Sequence, residues 1–148
     1  METETTTNTI PQVRGPRQVI VMRTDLNMRK GKMAAMGGHA SMMFMRQFAI
    51  GAYHLHKEPG ATYARVYSPS EEQFEWLEGE YAKIVVGVGS EAELLALLEA
   101  AEEKGLTAYL VTDNGHTEFH GVKTNTCICI GPHHPDVFIG LTNHLKLL

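Results

Sequence analysis

Cysteine and tryptophan are scarce in this chain, with two and one respectively among 148 residues, and aromatic residues make up only 7%. Cys127 and Cys129 stand two apart in "TNTCICIGP". On a strand they point to one face as neighbours along the chain, a spacing that does not suit a disulfide. They read as small apolar strand residues in a reducing compartment. No stretch approaches the roughly 18 to 20 consecutive apolar residues that a membrane-spanning helix needs. The opening "METETTTNTIPQ" lacks both the cationic start and the apolar run of a secretory signal. It reads as a disordered lead-in, residues 1–16, to a single domain over 17–148. Walker, dinucleotide and G-x-S-x-G fingerprints are absent too, which removes the commonest nucleotide and serine-hydrolase readings.

Positive charge is also in deficit, with 13 Lys and Arg against 17 Asp and Glu. That balance speaks against a polyanionic partner until the charges are placed. Between residues 11 and 46 stand Arg14, Arg17, Arg23, Arg29, Lys30, Lys32 and Arg46, opposed by Asp25 alone. The acids gather instead between residues 71 and 103, where Lys83 is the only cation. A basic face on an acidic molecule is therefore open, as is a fold that interleaves the two segments.

What the chain does have is periodic apolar structure. "RQVIVMR", "AKIVVGVG", "TAYLVTD" and "TNTCICIGP" read as strands. A helix begins near Lys30 to Lys32 and carries Met36, Ala40, Met43, Phe44 and Phe48 at three- and four-residue steps. Gly37 and Gly38 weaken it, and close approach to a strand or ligand would account for them. "SEEQFEWLEG" reads as a short acidic helix with Phe74 and Leu77 inward. "SEAELLALLEAAEEKG" is a helix with a Ser90/Glu93 capping box and Gly105 as its stop. A turn is expected at Pro59 and Gly60, and a closing helix over "PDVFIGLTNHLKLL". The order implies an α/β fold, a three-layer sandwich around a small four-stranded mixed sheet whose last strand is antiparallel.

Ligands of such sheets gather at the carboxyl ends of the parallel strands. That edge displays Arg23 to Asp25, the start of the first helix, and Asp113 to Thr117. Lys32, Met36 and His39 fall at i, i+4 and i+7, on one helix stripe. Asp113 ends an apolar strand, where an acid needs a partner, and Lys32 is the obvious one. A facing ammonium and carboxylate can orient water and stabilise developing charge. Each residue has a plainer reading: a solvated cation for Lys32, a satisfied half-buried side chain for His39, a turn cap for Asp113. The histidines of "HTEFH" and "PHHPD" lie in turn-rich stretches where the spacing means little, so no metal site is expected.

"VIVMRTDLNMRKGKMAAMGGHA", "EWLEGEYAKIVVGV", "TDNGHTEFHGVKTNTCICIGP" and "LTNHLKLL" together resemble the archaeal and eukaryotic (type II) peptidyl-tRNA hydrolases, over roughly residues 17 to 148. The resemblance implies cofactor-free hydrolysis of the ester joining a peptide to the 3′ end of tRNA; a cytoplasmic location is expected, and a homodimer is left open. Position by position it makes Lys32 the active-site lysine and Asp113 the aspartate, with Thr117 and Thr124 as hydroxyl donors. It puts His39 on the first helix beside them and gives Arg29, Lys30 and Lys123 to the phosphates of tRNA. Two positions depart: Met36 stands where the family has glutamine, and His116 where it has arginine. The family's proline before the glycine next to His120 is missing as well. Two alternatives stay open beside hydrolysis of peptidyl-tRNA. One is a tRNA-binding module of the same fold with impaired catalysis; the other is a hydrolase of another acylated or nucleotide substrate.

Overall fold

The computed structural model describes residues 14–56 and 69–148. Most of the expected lead-in, the Pro59–Gly60 turn and the bulk of the connection near 50–68 lie outside them. Five strands and three helices follow the order β1 (Arg17–Arg23), α1 (Lys30–His56), α2 (Glu71–Glu78), β2 (Ala82–Val88), α3 (Glu91–Glu103), β3 (Ala108–Asp113), β4 (Thr124–His133) and β5 (Lys146–Leu147). A 3-10 turn at Pro135–Phe138 separates the last two strands. The sheet order is β3-β4-β1-β2-β5. β1 and β2 are parallel, while β4 runs antiparallel to both β1 and β3.

Alternation along the strands builds two cores, one on each face. Val19 and Val21 of β1 join Val86, Val88, Ile128 and Ile130 beneath Leu94 and Ala101 of α3. Ile20 and Met22 turn the other way and pack with Cys127 and Cys129 beneath Met36 and Ala40 of α1. The cysteines thus behave as small apolar residues, and burial pushes the Cys127 thiol up to about 11. Helix α1 is pinned to β1 by a buried pair: Gln18 Nε2 donates to Ser41 O at 2.9 Å, and Ser41 Oγ donates to Gln18 Oε1 at 2.6 Å.

Four departures from the sequence reading have physical causes. The sheet has five strands rather than four, and no closing helix forms. Gly140, with φ +74, takes the chain out of helical geometry, and its N–H is held by Asn143 Oδ1 at 2.9 Å. The chain then extends, and Val86 pairs with Leu147. The apolar residues Phe138 and Leu141 still bury against the α3 side. On α2 the inward residue is Trp76, 1% exposed, whereas Phe74 is 54% exposed. Trp76 donates its Nε1–H to Ala82 O at 2.8 Å and meets Phe44 edge to face. The Ser90/Glu93 box is half made: Ser90 Oγ accepts from Glu93 N, but Glu93 reaches Gly89 N. A complete box caps α2 instead, through Ser70 and Gln73.

Gly37 and Gly38 form the fourth. A Cβ added at either meets nothing within 4 Å, so no close approach of a strand demands them. Both line an apolar groove of about 580 Å³ between α1 and β2. Gly38→Ala is therefore expected to stabilise the protein by up to about 1 kcal/mol through helix propensity alone. A denaturant titration showing a loss instead would mean that α1 is strained there.

Among the described residues no helix is long and apolar enough to cross a membrane. Nor does any group of three or more His, Cys, Asp and Glu side chains among them suit a metal ion.

Candidate active site

The site is built where β1 hands over to α1 and where β3 ends. A cleft of about 630 Å³ opens there, lined by Arg29, Gly31, Lys32, Ala35, Met36, His39, Asp113, Thr117 and Glu118. Three turns of α1 supply one wall, because Lys32, Met36 and His39 recur at helical spacing. The last residue of β3 and the loop that follows supply the other.

Lys32 is the centre of the polar contacts. Its Nζ donates to Asp113 Oδ1 at 2.8 Å and to Thr117 Oγ1 at 2.7 Å, and it lies 5.4 Å from the centroid of the Phe119 ring. Both charged side chains are largely enclosed, 9% exposed for Lys32 and 14% for Asp113. Enclosure strengthens the pairing, since fewer waters screen it. The second oxygen of Asp113 accepts from Gly115 N at 2.8 Å. The Lys32 hydrogen bond holds the Asp113 carboxyl below the usual carboxylate range; partial burial opposes this, while the Gly115 N–H and the charges of Lys32 and His39 assist. Asp113 is therefore a fixed anion that cannot readily take up a proton at neutral pH. Its other role, as a turn cap, is real too, since the Gly115 bond closes the loop.

Six residues picked from the sequence thus share one cleft: Arg29, Lys32, Met36, His39, Asp113 and Thr117. Lys30, His116, Lys123 and Thr124 do not line it. Lys30, His116 and Lys123 are exposed. Thr124 stands directly opposite Asp113 in the β3–β4 ladder, but its hydroxyl donates to Val122 O at 2.9 Å. Arg23 is drawn away from the cleft by Asp25, Glu91 and Asn125 O. This interleaves part of the basic segment with the acidic one.

Glu118, Phe119 and Thr126 were not singled out by the sequence. Glu118 accepts from Arg29 Nε at 2.8 Å and from Arg29 N at 3.4 Å. Its position one residue after Thr117 was the available signal, but a partner 89 positions away leaves none. Thr126, fully buried, donates its single hydroxyl proton either to Met36 Sδ at 3.2 Å or to Val111 O at 3.3 Å.

That contact explains how a thioether is tolerated here. Met36 is 2% exposed and packed with Ile20, Met22, Cys127 and Cys129. Met36→Gln would present Oε1 to the Thr126 hydroxyl and leave its amide mostly enclosed. Hydrolysis of an N-blocked aminoacyl-tRNA is expected to change by less than about threefold, with a stability cost of about 1 kcal/mol. A tenfold rise in rate would show instead that an amide at this position reaches the substrate.

Fold and cleft together define a small α/β sandwich with a lysine–carboxylate site at one end of its mixed sheet. Over residues 16–148 the chain matches the family model described as Peptidyl-tRNA hydrolase PTH2, and it belongs to that family. It is 36% identical to the peptidyl-tRNA hydrolase of Methanocaldococcus jannaschii over 132 residues, covering 89% of this chain and 99% of that one. The enzyme of the same name from Methanopyrus kandleri is 39% identical over 132 residues, 89% of this chain and 97% of its own. The Methanothermobacter thermautotrophicus one is 38% identical over 133 residues, with 89% and 99% covered.

Proposed function

We propose that this protein hydrolyses the ester between a peptide and the 3′ end of tRNA, releasing a free peptide carboxylate and tRNA. The observation that supports it best is the enclosed Lys32 ammonium, gripped by Asp113 and Thr117 within a cleft at the sheet edge. An ammonium has three protons to donate, and two are committed here. The third is assigned to the carbonyl oxygen of the ester, where negative charge develops as water adds. Thr117 accepts from Lys32 and so keeps its own O–H to give to the tetrahedral intermediate or to water. Asp113 has remaining lone pairs that can orient the attacking water. Its depressed proton affinity suits positioning better than proton abstraction. Water adds to the carbonyl carbon and the C–O bond to the 3′ oxygen breaks; one proton of the water leaves on that oxygen, and the other passes to solvent as the peptide carboxylate forms.

Arg29 at the cleft, with Lys30, His116 and Lys123 on the exposed surface, is assigned to backbone phosphates, which position tRNA without reading its sequence. A role for Thr124 would pass through the backbone at Val122, given where its hydroxyl bonds. The reading places the protein in the cytoplasm, where peptidyl-tRNA is released. Its test is time-resolved release of peptide from N-acetyl-aminoacyl-tRNA. Release well above the uncatalysed rate is expected. Salt-sensitive tRNA binding without release would leave a binding module in its place.

A further inference from the structure

We propose that Glu118 is an internal anion seated where a phosphate of the bound nucleic acid belongs, so that it sets how tightly substrate is held. The inference rests on the tRNA-directed reading above and adds to it a specificity-determining residue that repels rather than binds.

The geometry is that of an anion already bound. One carboxylate oxygen takes the Arg29 guanidinium at 2.8 Å, and the other takes the Arg29 N–H at 3.4 Å. Arg29 is the residue from which α1 starts, its carbonyl accepting from Met33 N at 2.9 Å. A phosphate would use the same guanidinium and the same backbone donor. The acid is 15% exposed and the arginine side chain 82%, so the carboxylate is the inner partner of the pair. Arg29 first, and Lys32 more weakly, hold the Glu118 carboxyl below its usual range, so it stays charged at neutral pH.

Glu118 also lines the cleft itself, beside Lys32, Thr117 and His39. A brace for Arg29 could stand behind the guanidinium, away from the ligand. A carboxylate on the cleft wall meets whatever enters. An incoming phosphate must displace it from Arg29, which raises the substrate concentration needed for half-maximal rate. The two arrangements therefore differ in sign. Removing a brace weakens binding, and removing a competing anion strengthens it.

Glu118→Gln keeps the size of the side chain and removes the charge. With N-acetyl-phenylalanyl-tRNA, KM is expected to fall roughly three- to tenfold, with the gain in kcat/KM carried by KM. One more cation becomes available to phosphate, so the logarithmic salt dependence of tRNA binding should steepen by about 0.7 to 0.9. In the Arg29→Ala background the same substitution should lose most of its effect, because the contested partner is gone. An unchanged or raised KM in Glu118→Gln overturns the proposal, as does a gain that survives without Arg29. A second readout needs no tRNA: inorganic phosphate should perturb the Arg29 backbone amide at lower concentration in Glu118→Gln than in the unaltered protein. If peptide is released by neither protein while this difference persists, the anion position stands and the assigned reaction falls. Equal phosphate responses overturn the position itself.

Discussion

Lys32→Ala is expected to lower kcat by about 10² to 10³, the loss typical of removing one preorganised donor from a developing oxyanion. Its central place among the polar contacts of the cleft is the reason. The ammonium touches both Asp113 and Thr117, so its removal takes away a charge and also the contact that places two other side chains. Stability should fall too, by about 1–3 kcal/mol, because Asp113 keeps its bond from Gly115 N but loses its counter-charge in a site only 14% exposed. Adding Asp113→Ala to Lys32→Ala should restore part of that stability and lower the rate little further, since the two residues act as a unit. Retention of more than a tenth of the activity by Lys32→Ala would remove the lysine from the chemistry.

The pair also fixes a pH signature. The folded-state proton affinity of Asp113 is depressed, so its contribution to stability is complete above the ordinary carboxylate range. That contribution disappears as pH falls through the lowered folded value, below about pH 4. In Lys32→Ala the largest cause of the depression is gone, so the acid limb should move upward. A titration followed at the Asp113 carboxyl carbon by NMR measures both positions.

Gly115→Ala is expected to cost at least about a hundredfold in rate, although Gly115 is itself assigned no chemistry. Gly115 has φ +83, a conformation that side chains rarely adopt. A Cβ there would run into the Val122 carbonyl oxygen and lie 2.7 Å from Val122 N, both backbone atoms that cannot rotate away. The residue is also held from both sides: its N–H goes to Asp113 Oδ2 at 2.8 Å, and its carbonyl accepts from Gly121 N at 2.9 Å. Relief of the clash must reopen the loop that carries Thr117 and Glu118, or turn Asp113 off Lys32. Unfolding stability should drop by about 1–3 kcal/mol, a cost of the kind seen when a strained backbone position receives a side chain. If the variant melts like the unaltered protein and keeps its rate, the loop is not the element that places Asp113. Gly38→Ala, on an open helix surface, provides the contrast within one molecule.

How much of this was legible in the sequence depended on how local each cause was. Strands β1 and β4 were plain as unbroken apolar runs because both of their faces are covered. Helix α3 was plain because its cap and its leucines lie within a few residues of one another. The inward turn of Trp76 was not, since its hydrogen bond to Ala82 O and its contact with Phe44 are set by packing between elements. A two-residue strand such as β5 has no period to read, and its apolar neighbours imitate a helix. In the cleft, Lys32 and Asp113 could be placed together from topology, because strand ends and helix starts share one edge. Glu118 could not, because nothing local marks it as the partner of Arg29.

The sheet order carries a consequence for the making of the protein. β4 lies between β1 and β3, although it follows both in the chain. The two sides of the cleft therefore hang on strands that do not touch each other: Lys32 follows β1, and Asp113 ends β3. A chain still under synthesis possesses both halves of the site before it possesses the strand that joins them. Thr124–His133 has to pair with both β1 and β3 before the two sides of the cleft are joined, so its entry is expected to be a late, long-range step.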